Sequence, residues 1–306
     1  MRITASGTPT PVTLVEPPDH LSFSQITNLS TRYSRACARQ WAYRRLLGLP
    51  DSRVGTSLVI GTILDRAVTE MLRARMLGMS EDAVTTVMYA KLKEGYTAAA
   101  DRNSDVQWPD MTRRGKFEAM TLDCLVALYH HLRDVRPESV QEQHEWICPS
   151  DDGDIRVIGF SDWIVNGEIC DLKFRGRAPW NNVGEWDQTF VLPVVDQLHH
   201  YYFGRLYAAK RDNLPEPPDR GRVVVMVYSS SRRNPEIREY SVTLSRDLYP
   251  EIAASVIEAH GAQVSATHPP RPGAACEWCP YVERCRIDSA RYAVRTDLLA
   301  ASPTRV

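Results

Sequence analysis

Gly159-Phe160-Ser161-Asp162-Trp163-Ile164-Val165-Asn166-Gly167-Glu168-Ile169-Cys170-Asp171-Leu172-Lys173 reads as two short strands joined by a tight turn. Asn166-Gly167 is the reason, because both residues tolerate the positive φ that a two-residue hairpin turn demands. Such a hairpin brings Asp162 on one strand toward Asp171 and Lys173 on the other. Asp171 and Lys173 are two apart and share one face of their strand. Two carboxylates and one amine at one spot form a costly arrangement unless a cation sits between the acids. A hard divalent ion such as Mg²⁺ or Mn²⁺ accepts carboxylate oxygens and leaves positions for water and phosphate. When bound it activates water and stabilises a leaving oxygen, and Lys173 would orient or help deprotonate that water. The same D-x-K triplet also occurs as ordinary surface charge on an exposed hairpin, so its meaning depends on the rest of the chain.

The 306 residues are 43% hydrophobic and 25% charged, an ordinary globular composition with chain enough for a substantial core. A net charge of −1 requires any nucleic-acid site to be a local basic surface. No apolar run is long enough to span a membrane, and residues 1–20 lack the apolar stretch of a signal peptide, so a cytoplasmic location is expected. Neither a Walker A loop nor G-x-G-x-x-G is present, which excludes an encoded nucleotide motor.

Upstream of the hairpin the pattern is helical. Ser22 or Ser24 is a candidate N-cap, and residues 34–47 read as a helix ended by Gly48 and Pro50, with Cys37, Trp41 and Arg44 on one side. Residues 56–77, 80–101 and 112–135 give three more helices, with a loop through Trp108-Pro109. Gly61 inside the first of these suggests close packing, and Asp65 on the same helix is a candidate third acidic ligand or else a solvated acid beside Arg66. Arg113, Arg114 and Lys116 are either solvated or a phosphate-contacting patch. After Pro137 the pattern changes to strands, the first over Val140–Cys148, where Glu145 is a weak candidate for the site. Asp151, Asp152 and Asp154 lack calcium-loop spacing and form a polar turn.

Downstream, Arg175, Arg177, Trp180 and Trp186 lie in a polar loop, suited to stacking on unpaired bases or, for the tryptophans, to packing back on the core. A helix over 190–210 follows, on which Gln197 and Tyr201 share a face. His199 and His200, about 100° apart on that helix, cannot both reach one ion and read as structural. Residues 222–229 form a buried strand, 236–243 its exposed partner, with a turn at Arg233-Asn234-Pro235, and 246–263 a helix. The order predicts an α/β fold with a mixed central sheet flanked by helices.

The C-terminal region holds Cys276-x2-Cys279-x5-Cys285. Three cysteines this close point to a metal centre, which needs a fourth ligand. His260 or His268 would complete a zinc site, and a fourth thiolate an iron–sulfur cluster. Cys124, Cys148 and Cys170 fall in core elements, leaving Cys37, which would clasp the first helices to the last segment.

Taken together these residues resemble a known family, the RecB-like branch of PD-(D/E)XK nucleases with an iron–sulfur cluster. That branch includes the nuclease of CRISPR adaptation modules and the AddB nuclease domain. Four features carry the likeness: Ser22-Phe-Ser through Cys37 and Trp41-Ala-Tyr-Arg-Arg; Gly159-Phe-Ser-Asp162 followed by Asp171-Leu-Lys173; Gln197-x-x-x-Tyr201; and the four cysteines. They span about residues 22–287.

The resemblance implies a PD-(D/E)XK restriction-endonuclease-like core and a metal-dependent DNA exonuclease acting on single strands or DNA ends. Asp162, Asp171 and the Leu172 carbonyl would hold Mg²⁺ or Mn²⁺, Lys173 would position the water, and Gln197 and Tyr201 would shape the site. Cys37, Cys276, Cys279 and Cys285 would hold a [4Fe–4S] cluster. The family usually places a histidine in Gly-x-x-x-His, where this chain has Gly61-Thr-Ile-Leu-Asp65, and Asp65 can still bind a hard cation. That change also motivates a rival from another class, a non-hydrolytic DNA-end-binding or adaptor protein that keeps fold and cluster. Expected partners are DNA, a homo-oligomer, and recombination or integration proteins. The expected organisation is a leader over 1–20, a helical region over 21–137 contributing Cys37 and Asp65, a nuclease core over 138–265, a cysteine segment over 266–290 and a tail over 291–306.

Overall fold

Asn166 and Gly167 adopt φ of 50° and 73°, so the chain reverses in the two-residue turn expected of them. The turn joins β3 (Ile155–Val165) to β4 (Glu168–Arg175), and Val165 pairs with Glu168 across it. The computed structural model describes residues 19–33, 37–49, 56–101, 111–181, 183–228, 235–265, 268–272, 276 and 279–288. The leader, the loop through Trp108-Pro109, the Arg233-Asn234 part of the turn, the tail and the side chains of Arg113, Arg114 and Lys116 lie outside the described residues.

Six strands form one mixed sheet. β2 (Ser139–Cys148) runs antiparallel along the whole of β3, and β5 (Arg220–Val227) pairs in parallel with β4. β6 (Glu236–Thr243) closes the sheet antiparallel to β5. Val223–Val227 is a continuous buried run, as a strand covered on both faces requires. A further two-residue strand, β1 (Leu21–Ser22), pairs in parallel with Val157 and Ile158 of β3.

One face of the sheet packs on α3 (Thr56–Met76), α4 (Glu81–Asp101) and α5 (Met111–His131), through a core that includes Leu64, Leu125, Trp163, Leu172 and Met226. The other face packs on α1 (Phe23–Leu29), α2 (Ala38–Arg45), α6 (Gln188–Asp212) and α7 (Tyr249–Val264), around Ile26, Trp41, Trp146, Leu198 and Val225. Ser22 caps α1 in a reciprocal capping box with Gln25. The helix expected from residue 34 starts at Ala38, with Cys37 at its N-cap position. The helix expected to reach 135 ends at His131, and Val135 is turned back onto Leu132, because Arg136-Pro137 disfavours helical backbone just ahead. Cys124, Cys148 and Cys170 are buried core residues. No described helix is long and apolar enough to cross a membrane.

Candidate active site

The strands of the hairpin stay together for only three pairs. β3 pairs with β4 at Trp163, Ile164 and Val165, and then the two separate. β2 occupies the other edge of β3, so β1 and β4 share the remaining edge at different heights. Between them, Gly159–Asp162 has no strand partner on that side, and the sheet forks. Asp162 stands in the fork: its Oδ2 accepts the Leu172 N–H at 2.6 Å, a role a backbone carbonyl would fill in a continued ladder. Its Oδ1 accepts Nε2 of Gln141 at 3.2 Å. Asp171, 2% exposed, lies across the fork and pairs with Lys173 Nζ at 2.6 Å.

The acids load each other. Burial first, and then the charge of Asp171, raise the Asp162 carboxyl well above the usual carboxylate range, against the pull of Lys173. Asp65 on α3 is raised for the same two reasons, again with Lys173 and Arg66 acting against them. Asp171 Oδ2 is fully enclosed and, despite Lys173 beside it, receives no hydrogen bond of good geometry. A buried carboxyl oxygen with an unused lone pair, beside two more acids, is of the donor type a hard cation takes, and such an ion would relieve the repulsion that raises the others. Among the described residues, no group of three or more His, Cys, Asp or Glu side chains stands at metal-holding distance.

α6 walls the site. Gln197 Nε2 donates to the Tyr201 hydroxyl at 2.5 Å. Burial and then the Asp171 charge push the Tyr201 hydroxyl far above its ordinary range, so it stays protonated. The ring lies on Gly159, where a Cβ would stand 2.5 Å from Tyr201 Cε1. Gly204 on the same helix makes the second close approach, since a Cβ there would meet His144 Cβ at 2.7 Å. His144 in turn bonds Ser161 Oγ at 2.8 Å and stacks near Tyr201, so α6, β2 and β3 are locked together beside Asp162.

A groove of about 1050 Å³ runs from Lys173 and Gln197 past Phe23, Asn28 and Arg32 to the 175–181 loop. Arg177 and Trp180 line it; the Arg175 guanidinium also lines it while sitting 4.8 Å over the Phe190 ring. Trp180 is covered by Arg238 at 4.4 Å, and Trp186 packs on Trp180, Phe190 and Tyr240. Glu145 is spent on Arg156 at 2.8 Å, away from the fork. His199 bonds Val195 O and accepts the Ser245 N–H, while His200 is buried between Phe23 and Trp146.

Two site neighbours had no sequence signal. Gln141 takes a φ of 55°, which glutamine does not advertise. Asp196, 0% exposed, accepts Arg32 Nε at 2.6 Å and the Tyr33 hydroxyl at 3.0 Å, tying the turn after α1 to α6 next to Gln197.

The cysteine segment folds against α2. Arg39 Nε donates to His268 O, Tyr281 Oη to Leu49 O, and Tyr43 Oη to Asp288. His268 stacks on Trp41 at 5.6 Å. The Cys279 thiol is raised by burial, and Cys37, Cys276 and Cys285 all act on it electrostatically, so the four thiols occupy one region. Among the described residues, no three of them stand at metal-holding distance.

Comparison with known proteins gives no match among curated proteins. A solved structure titled "Crystal structure of SSO0001" aligns over 87% of this chain and 86% of its own, at 11% identity and a TM-score of 0.39. The family profile described as the PD-(D/E)XK nuclease superfamily matches residues 20–286. That span holds the whole sheet, the fork and the Asp171-Leu172-Lys173 triplet, and the chain therefore belongs to the PD-(D/E)XK nuclease superfamily, whose members are metal-dependent phosphodiester hydrolases.

Proposed function

We propose that the chain is a DNA exonuclease of the RecB-like, cluster-bearing branch, working on single-stranded DNA or DNA ends. The observation that carries this is the fork itself, where Asp162 and Asp171 face each other with Lys173 paired to one of them. Asp162, Asp171, Asp65 and the Leu172 carbonyl would hold Mg²⁺ or Mn²⁺, which when bound supplies charge to the phosphate and acidifies water. Lys173, beside Asp171 at 2.6 Å, would orient the attacking water or help deprotonate it. Tyr201, kept protonated, and Gln197 present hydrogen-bond donors to the phosphate side of the site. The groove leads the strand past Arg175, Arg177 and Trp180, with Trp186 holding Trp180 in place. Cys37, Cys276, Cys279 and Cys285 would carry a [4Fe–4S] cluster that joins the last segment to α2. The proposed division of the chain is the leader, helical region, core, cysteine segment and tail given above. The enzyme would act in the cytoplasm, with recombination or integration proteins or further copies of itself.

Protein purified without oxygen, given 5′- or 3′-labelled single- and double-stranded DNA with Mg²⁺ or Mn²⁺, is expected to release nucleotides from an end. Lys173→Ala should cut at least about a hundredfold more slowly. Equal rates in the two proteins would remove Lys173 from the chemistry. Tight DNA binding with no cleavage by either would favour the end-binding adaptor, for which Asp65 in the usual histidine position is the motive. Visible charge-transfer absorbance and bound iron are expected of the cysteine segment, and stoichiometric zinc instead would replace the cluster with a zinc clasp.

A further inference from the structure

We propose that Gln141 is the positioning residue for Asp162, and that its left-handed backbone and its amide together aim the carboxylate into the fork. The inference rests on the metal-site reading above and adds a residue to it.

Side chains alternate along β2 and β3 except at one rung. On β3, Ile155 and Val157 belong to the α6-side core, Gly159 lies under Tyr201 and Ser161 bonds His144, so the odd positions face α6. Trp163 and Val165 are also odd, yet they pack into the α3-side core. β2 does the same. Cys148, Trp146 and His144 face α6, whereas Val140 packs on the α3 side. Registry is kept throughout, with Val140 opposite Trp163 and Glu142 opposite Ser161. The skipped pair between them is Gln141 and Asp162. Both strands therefore change faces at one rung, without an inserted residue. A strand with unbroken alternation would send residue 162 to a sheet face. At the switch it points edgewise, between β3 and β4, where it meets the Leu172 N–H.

Gln141 is where the backbone departs from the extended region, at a φ of 55°. A glutamine has no intrinsic reason to be left-handed, and glycine or asparagine would take the position at lower steric cost. Its long side chain is what neither alternative supplies: Nε2 reaches across the rung to Asp162 Oδ1 at 3.2 Å. With one oxygen held by Leu172 N–H and the other by Gln141, each still has a lone pair for a cation, but the carboxylate can no longer rotate. Strain retained beside a candidate site, together with a directed hydrogen bond, points to pre-organisation.

The test is Mn²⁺ affinity, read from the electron paramagnetic resonance of the free ion, for the full chain and for Gln141→Met and Gln141→Gly, with thermal melting alongside. Gln141→Met keeps length and backbone demand but cannot donate, and Gln141→Gly relaxes the backbone and also lacks the amide. Both are expected to bind Mn²⁺ about tenfold or more weakly while remaining folded, with the glycine variant melting no lower than the methionine one. Affinities within twofold of the unaltered chain in a folded variant would overturn the role of Gln141 while leaving the metal site standing. A merely structural role would lower the melting temperature and leave the Mn²⁺ affinity of the folded protein unmoved, which likewise overturns it. If the unaltered chain binds no Mn²⁺, the metal-site reading fails first and this inference with it. Should Gln141→Gly not fold, Gln141→Met alone decides.

Discussion

Single residues decide how tightly the site closes. Gly159→Ala would place a methyl 2.5 Å from a Tyr201 ring that is itself buried and held by Gln197. The ring must move, so a loss of about 1–3 kcal/mol of stability is expected in urea unfolding, with slower hydrolysis at substrate saturation. Unchanged stability and rate would mean that Tyr201 has room to yield. Gly159 was legible as part of a motif, but its reason, an aromatic from α6 seated on the strand, lies 42 positions downstream in the chain. Asp162, Asp171 and Lys173 were legible because the Asn166-Gly167 turn fixes which residues face one another. Gln141 was not, since nothing in Val-Gln-Glu marks a left-handed backbone and only the opposite strand explains it.

Between elements, a buried ion pair joins the turn after α1 to α6 beside the groove. Asp196 on α6 is fully covered and takes both Nε and a terminal nitrogen of Arg32, with the Tyr33 hydroxyl as third partner. Arg32 keeps a second acid, Glu251, and some solvent. Asp196→Ala should therefore cost about 3 kcal/mol, toward the lower end for a broken buried pair, and Arg32→Ala a similar amount by stranding Asp196. A double-mutant cycle in denaturant is expected to show strong non-additivity; simple addition of the two losses would show that the pair is not coupled. Helix and strand order followed from periodicity, and most boundaries fell within a few residues. β1 escaped because two residues carry no period, and its pairing is set by a partner more than a hundred positions away. The site was thus readable where chemistry is local to the hairpin, and unreadable where α1 and α6 meet it through space.

The molecule as a whole should be acid-sensitive on the α6 side. Burial pushes the His200 imidazole down to about 3, whereas in an unfolded chain it would titrate near 6.5. Its folded value is depressed, so the unfolded state takes the proton first, and stability is full above about pH 6.5 and falls as pH drops toward 3. His200→Phe removes that proton site while keeping an aromatic between Phe23 and Trp146. Relative to this variant, the unaltered chain is expected to lose roughly 2.5 kcal/mol across the two pH units below 6.5, measured by urea unfolding at each pH. A pH-independent gap would contradict the buried neutral imidazole. Asp65 and Asp162, whose carboxyls are raised, act with the opposite sign but are common to both proteins and cancel in the difference. Finally, the early turn at Ser30 and Thr31 is held by Glu258, and Tyr43 and Leu49 by Asp288 and Tyr281. Residues near the start of the described chain thus find partners near its described end. On the ribosome, the turn after α1 lacks its Glu258 anchor until α7 has emerged, so this wall of the groove is completed after the hairpin with its acids is already paired. Synthesis itself then delays completion of the candidate site until α7 has been made.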